Sequence, residues 1–203
     1  RRQGLRMAGK GTWIRRGDEL TLIREALVQL ARGERVNLLM TGEIGSGKSR
    51  LIREIRDIAG RRSIPFYGSR CTSVGTHILR DTLRQILLEM TGFDADGIGG
   101  LGLPRSQENA LQRFLADAAD QPADVAVPVA ALLNTIATTG PVIIAVEDIH
   151  HLDHLSGLIE LLDRVDGPLL FLLSMAPPPT TELAKRVTPV ALGPFPASAQ
   201  LRL

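Results

Sequence analysis

The stretch Leu38 to Ile52, LLMTGEIGSGKSRLI, constrains the fold of this chain more than any other: the pattern G-x-x-x-x-G-K-S stands between an apolar run and an amphipathic one. The apolar run, Val36 to Thr41, reads as a short buried strand. Residues Lys48 to Ala59 read as a helix whose apolar stripe is Leu51, Ile52, Ile55 and Ile58. Between them, Gly42, Gly45 and Gly47 permit backbone conformations and close approaches that a Cβ would block. A strand, a glycine loop and a helix in that order converge successive N–H groups at a helix start, where the dipole also favours an anion. Lys48 at the same helix start would sit at the unfavourable end of the dipole unless an anion is there. The stretch is therefore read as a loop that holds a nucleotide phosphate. Its contacts are expected from Gly42, Glu43, Ile44, Gly45, Ser46, Gly47, Lys48, Ser49 and Arg50. Lys48 would reach the β and γ phosphates, Ser49 would offer its hydroxyl to Mg²⁺, and Arg50 would contribute its backbone N–H rather than its charge.

Such a loop needs one partner for Mg²⁺ and another to orient the attacking water. The segment PVIIAVEDIHHLD, Pro141 to Asp153, supplies both as an apolar strand ending in Glu147 and Asp148. That places two acids at the C-terminal edge of the sheet, where ligands of open α/β sheets bind. By position Glu147 faces Mg²⁺ through a water and Asp148 polarises the nucleophilic water, the arrangement of a Walker B segment. His150, His151 and His154 follow directly, and His150 and His154 are i, i+4 neighbours if a helix has begun. A zinc site there lacks an evident third ligand apart from Asp153. Packing or polar contacts at the strand exit are the preferred reading.

The rest of the chain alternates helices and apolar strands. A helix is expected from Asp18 to Ala31, stopped by Gly33, and a strand from Ile64 to Ser69 after the basic turn Gly60-Arg61-Arg62. Helices follow over 77–91, over Ser106 to Ala119 with Ser106 as cap, and over Val125 to Thr138 across Pro128. After the strand VIIAVED come a helix from Leu155 to Val165, a strand from Leu169 to Leu173, a short helix to Arg186 and a strand from Val187 to Leu192. Continuous apolar strands between helices imply a parallel sheet covered on both faces.

Composition bounds the class. With 203 residues, 44% hydrophobic and 23% charged, one domain of this size buries about 70% of its unfolded surface. No apolar stretch approaches the roughly 18 residues of a membrane span, and no signal peptide with a cleavage site is evident, so a cytoplasmic protein without a membrane partner is expected. Cys71 stands alone, which excludes an internal disulfide and a cysteine-based zinc site. Residues 1–16 carry six basic groups and no acid, leaving 18 basic against 22 acidic in the remainder. A basic tail could touch nucleic acid, but a solvated linker over 1–12 is the favoured reading. A chain that starts with Arg and stops just after an apolar segment reads as a piece of a longer protein.

Taken together, WIRRGDEL (Trp13 to Leu20), TGEIGSGKSRLIREI (Thr41 to Ile55), YGSRC (Tyr67 to Cys71), ILRDTLRQIL (Ile78 to Leu87), VIIAVEDIHHLD (Val142 to Asp153) and VALGPF (Val190 to Phe195) resemble the AAA+-like ATPase module of STAND proteins. That module occurs in LuxR-type, maltose-activator-like transcription regulators and in some bacterial adenylate cyclases. The resemblance implies an α/β three-layer P-loop NTPase over 13–203, with sheet order 5-1-4-3-2 and the helical lid missing beyond Leu203. It also implies an ATP/ADP switch with slow hydrolysis by in-line water attack, missing effector domains (a helix-turn-helix DNA-binding domain or a cyclase) and nucleotide-dependent self-association. By the same resemblance, Trp13 and Ile14 pack near the adenine, or else anchor the first helix. Ser174 matches a polar sensor of the γ phosphate, or is an ordinary strand-end serine. Arg186 sits where an arginine finger occurs, though a helix-end cation is the better reading. Relatives commonly place the shorter acid before the longer one, so Glu147 and Asp148 each differ by one methylene, roughly 1.5 Å; slow hydrolysis is the expected consequence. A non-hydrolysing nucleotide scaffold and an AAA+ motor acting on DNA or a protein complex are the competing functions.

Overall fold

A computed structural model describes residues 17–72, 78–92, 102–116, 123–153 and 155–193. Helices α1 (Gly17–Ala31), α2 (Lys48–Arg61), α3 (Ile78–Thr91), α4 (Arg105–Leu115), α5 (Ala123–Ala137), α6 (Leu155–Arg164) and α7 (Thr181–Ala184) are interspersed with five strands, α3 to α5 following one another among the described residues. The strands are β1 (Val36–Thr41), β2 (Phe66–Arg70), β3 (Val142–Glu147), β4 (Leu169–Met175) and β5 (Thr188–Ala191). Every neighbouring pair is parallel and the order is β2-β3-β4-β1-β5, the expected 5-1-4-3-2 read from the other edge.

Side chains alternate across a strand, and that alternation builds two cores. Leu39, Ile144, Phe171 and Leu173 join α3 to α6 on one face, with Leu79, Phe114, Leu133 and Leu161. On the other face, Leu38, Met40, Ile143, Ala145, Leu170 and Leu172 meet α1 and α2 through Leu27, Ile52 and Ile55. All seven residues of β4 are buried, as a strand covered on both faces must be. Each such Leu, Ile or Phe contributes about 1.5–3 kcal/mol by leaving water. The outcome is a three-layer sandwich in which the C-terminal tips of β1, β3 and β2 open on one edge.

Several boundaries move. The helix after the glycine loop continues through Gly60 and Arg61 rather than turning there, and Arg62 closes it by donating its N–H to the Ile58 and Ala59 carbonyls. Strand β2 starts at Phe66 and reaches Arg70, and β4 runs two residues past Leu173. Ser106 is not a cap: α4 begins at Arg105 with Pro104 at the N-cap position, and the proline ring has no acceptor with which to cap the helix. The helix ends at Leu115 with Ala116 after it, and residues 117–119 of the expected range lie outside the described residues. Strand β5 occupies Thr188–Ala191 alone. Gly33 does stop α1, with a left-handed φ of +88°. Pro128 lies inside α5 as expected. No helix among the described residues is long and apolar enough to cross a membrane.

Candidate functional site

The loop leaves β1, between β4 and the edge strand β5, and enters α2. Gly45 (φ 81°) and Gly47 (φ 92°) hold left-handed conformations that other L-residues rarely adopt, and Ser46 donates its N–H to the Glu43 carbonyl at 3.1 Å. Gly42 meets a different constraint: a Cβ there would lie 2.5 Å from Ser46 Oγ and 2.7 Å from the Leu192 carbonyl. Leu192 is itself fixed by donating its N–H to the Thr41 carbonyl at 2.7 Å. Gly47 precedes α2 without a side-chain hydrogen bond to the helix. The first-turn N–H groups of a helix have no carbonyl of a preceding turn to bond. Ile44, at 99% exposure, projects from the loop tip, and Glu43 and Arg50 are also exposed. Lys48 Nζ is folded back on the loop, donating to the Gly42 carbonyl at 2.6 Å and the Glu43 carbonyl at 3.1 Å.

Across from the loop stands the tip of β3. Ser49 Oγ donates to Glu147 Oε2 at 2.6 Å. The longer acid in the first position therefore reaches the loop's hydroxyl, and its extra methylene is accommodated. Asp148 follows in a left-handed turn, φ 60° and ψ 42°, before the 3-10 turn Ile149–His151. Aspartate tolerates that region better than most residues, yet it remains a strained conformation of the kind found at functional sites. The strand residue Ser174, fully buried, accepts a hydrogen bond from the Asp148 N–H at 3.1 Å and so holds this turn against β4.

One cation that the sequence reading did not single out joins the group. Arg70, the last residue of β2, is in register with Glu147. Its Nη2 donates to both Ser49 Oγ and Glu147 Oε2 at 2.8 Å, and its Nε lies 3.5 Å from Asp148 Oδ2. The hydrogen bond it donates to the Glu147 carboxylate raises the guanidinium above its ordinary pKa. The signal was available: with the order 5-1-4-3-2, β2 borders β3, and a basic residue at the end of one parallel strand faces the acids at the end of the next.

The remaining candidates separate from this cluster. His150 Nδ1 accepts from the Ala176 N–H at 3.3 Å, and its ring lies 4.1 Å from that of His151. Burial, then the charge of His151, lowers the His150 pKa. No cluster of three or more His, Cys, Asp or Glu suited to a metal occurs among the described residues. Arg186 is bound within its own chain, to both Asp163 oxygens (2.7 and 2.9 Å) and to the Glu182 carbonyl and carboxylate (2.8 and 3.2 Å). It also lies at the opposite end of the sheet's last strand, before β5. Trp13, Ile14, His154 and the basic segment 1–12 lie outside the described residues.

Known proteins resemble this chain in sequence or in fold. The transcriptional regulator VasH of Vibrio cholerae serotype O1 (strain ATCC 39315 / El Tor Inaba N16961) is 26% identical over 112 residues, 55% of this chain. The chain spans 20% of that relative's length. A solved structure of Drosophila ORC bound to DNA is similar in fold, with a TM-score of 0.52 at 12% identity, covering 97% of this chain and 53% of that one. The family model described as AAA ATPase domain matches residues 12–172. A parallel sheet with this strand order, a glycine loop and facing acids are thus the features of a chain that belongs to the AAA ATPase domain family.

Proposed function

We propose that the domain is an ATP- and ADP-binding regulatory switch that hydrolyses ATP slowly, within a multidomain signalling or transcription-regulatory protein working in the cytoplasm. The observation that carries the reading is the 2.6 Å contact of Ser49 Oγ with Glu147 Oε2, which joins the glycine loop to the acidic strand tip. A hydroxyl and a carboxylate form an all-oxygen donor set that fits Mg²⁺, which is commonly held by one or two carboxylates together with substrate phosphates. Bound there, Mg²⁺ would offset charge on the β- and γ-phosphoryl oxygens.

The chain's own residues do the rest. N–H groups from Gly42 to Arg50 bind phosphoryl oxygens along the start of α2. Lys48 exchanges the Gly42 and Glu43 carbonyls for the β and γ phosphates, a charge-assisted contact stronger than either carbonyl bond. Asp148 orients the attacking water, with Ser174 fixing its backbone. Trp13 and Ile14 are assigned to the adenine by resemblance. Nucleotide state then biases contacts with effector domains of the same protein, a helix-turn-helix domain or a cyclase, or self-association. The names of the two relatives above favour the regulatory and DNA-linked version of that role.

A specific observation also favours the non-hydrolysing scaffold: Arg70 engages both acids of the strand tip. The motor reading needs Arg186 offered to a neighbouring subunit, whereas here Asp163 and Glu182 hold it. ATP turnover by wild type and Asp148→Asn separates the first two. The switch predicts a slow wild-type rate that drops about a hundredfold in the variant, the lower end of general-base effects. Identical, near-zero rates in both would leave the scaffold.

A further inference from the structure

We infer that Arg70 is a built-in competitor for the divalent cation at Ser49 and Glu147, so that loading of the metal is coupled to release of the guanidinium. The inference rests on the ATPase reading above. Two backbone features fix where Arg70 starts: its register with Glu147 in the parallel pair, and the Cys71 N–H donated to the Glu147 carbonyl at 2.9 Å one residue further on. From that anchor a single nitrogen, Nη2, reaches both oxygens that would bind the metal, each at 2.8 Å. Ser49 Oγ has one proton and two lone pairs. The proton goes to Glu147 and one of the two lone pairs to Arg70, so a metal would meet this oxygen with one pair already engaged by a cation.

A guanidinium and a divalent ion cannot both hold these two oxygens, because like charges at such separations repel. Arg70 can leave at small cost, since 55% of its side chain is already exposed against 19% for Glu147. A guanidinium so released is a planar fork suited to phosphoryl oxygens. The extra phosphate of ATP offers it a second anion near the loop, which ADP lacks. Arg70 therefore penalises the metal-bound state more with the diphosphate than with the triphosphate.

Mn²⁺ as a paramagnetic stand-in for Mg²⁺, titrated into the whole chain and followed by electron spin resonance without nucleotide and with ADP, tests this. Arg70→Met is expected to bind Mn²⁺ about tenfold more tightly than wild type in both arms, a factor equivalent to about 1.4 kcal/mol. Arg70→Lys keeps the charge and should stay within about threefold of wild type, with unfolding temperatures checking that both variants fold. Equal or weaker Mn²⁺ binding by Arg70→Met, binding by Arg70→Lys as tight as by Arg70→Met, or no binding by any of the three would overturn the inference. Failure of the ATPase reading shows separately, as no binding of a fluorescent ADP by wild type, and leaves the nucleotide-free Mn²⁺ comparison intact.

Discussion

Replacing Gly42 by alanine drives a methyl group against two neighbours that differ in how far they can yield. Ser46 Oγ, 2.5 Å from the ideal Cβ, is a side-chain tip that a rotamer change could move, at the expense of its buried position. The Leu192 carbonyl at 2.7 Å is backbone, pinned next to β5 by the 2.7 Å hydrogen bond from Leu192 to Thr41. Relief therefore requires β1 and the chain after β5 to part, or the loop to lift. Overpacking of this kind costs typically about 1–3 kcal/mol. In a domain of this size each kcal/mol moves Tm by about 2–4 °C, so a fall of roughly 4–8 °C is expected for a mid-range cost. Gly60→Ala is the control, since a Cβ there meets nothing within 4 Å inside α2. It should raise stability by about 0.5 kcal/mol through helix propensity and lost unfolded-state entropy. Urea unfolding of the two variants beside wild type reads both signs. A neutral or stabilising Gly42→Ala would refute the argument that backbone proximity, rather than φ, requires glycine at that position.

Two other outcomes follow from titratable groups. Burial pushes the Cys71 thiol up to about 11, so at pH 8 only about one thiol in a thousand is ionised. Iodoacetamide should modify native protein very slowly and unfolded protein fast; rapid native labelling would contradict the buried placement. Arg186 holds the Asp163 carboxyl below its ordinary 3.8. A depressed acid stabilises the fold above its unfolded value and loses that contribution as pH falls through the folded one. The Tm difference between wild type and Asp163→Asn should accordingly be present at about pH 6 and shrink as pH falls below 3.8, with a small size because the pair is exposed. A difference that grows on acidification would reverse the assigned sign.

Much of the fold was legible because hydrophobic continuity carries it. VIIAVE and the β1 run are buried over consecutive residues, which only a strand covered on both faces allows, and the helices between them force parallel order. Boundaries were less legible where a tertiary contact overrides local signals. Gly60 looked like a stop, yet the carbonyls of Ile58 and Ala59 find a donor one turn later in Arg62. Ser174 looked like a strand end, and β4 continues because its hydroxyl has a buried partner in the Asp148 N–H. The left-handed turn at Asp148 has only a weak signature in residue type, since aspartate tolerates that region but the usual marker, glycine, is absent. Within YGSRC nothing local gives Arg70 a role, because its partners, Ser49, Glu147 and Asp148, lie 21 or more residues away. Its placement required combining strand order with strand ends.

A nucleotide switch requires the cradle around residues 42–49 to bind phosphate, and calorimetric titration of ATP and ADP with Mg²⁺ into wild type and Lys48→Ala tests this most directly. Loss of one charge-assisted contact of about 1.5–3 kcal/mol predicts saturable binding to wild type that weakens at least about tenfold in the variant. Absence of heat with wild type, or matching affinities for the two proteins, would contradict it.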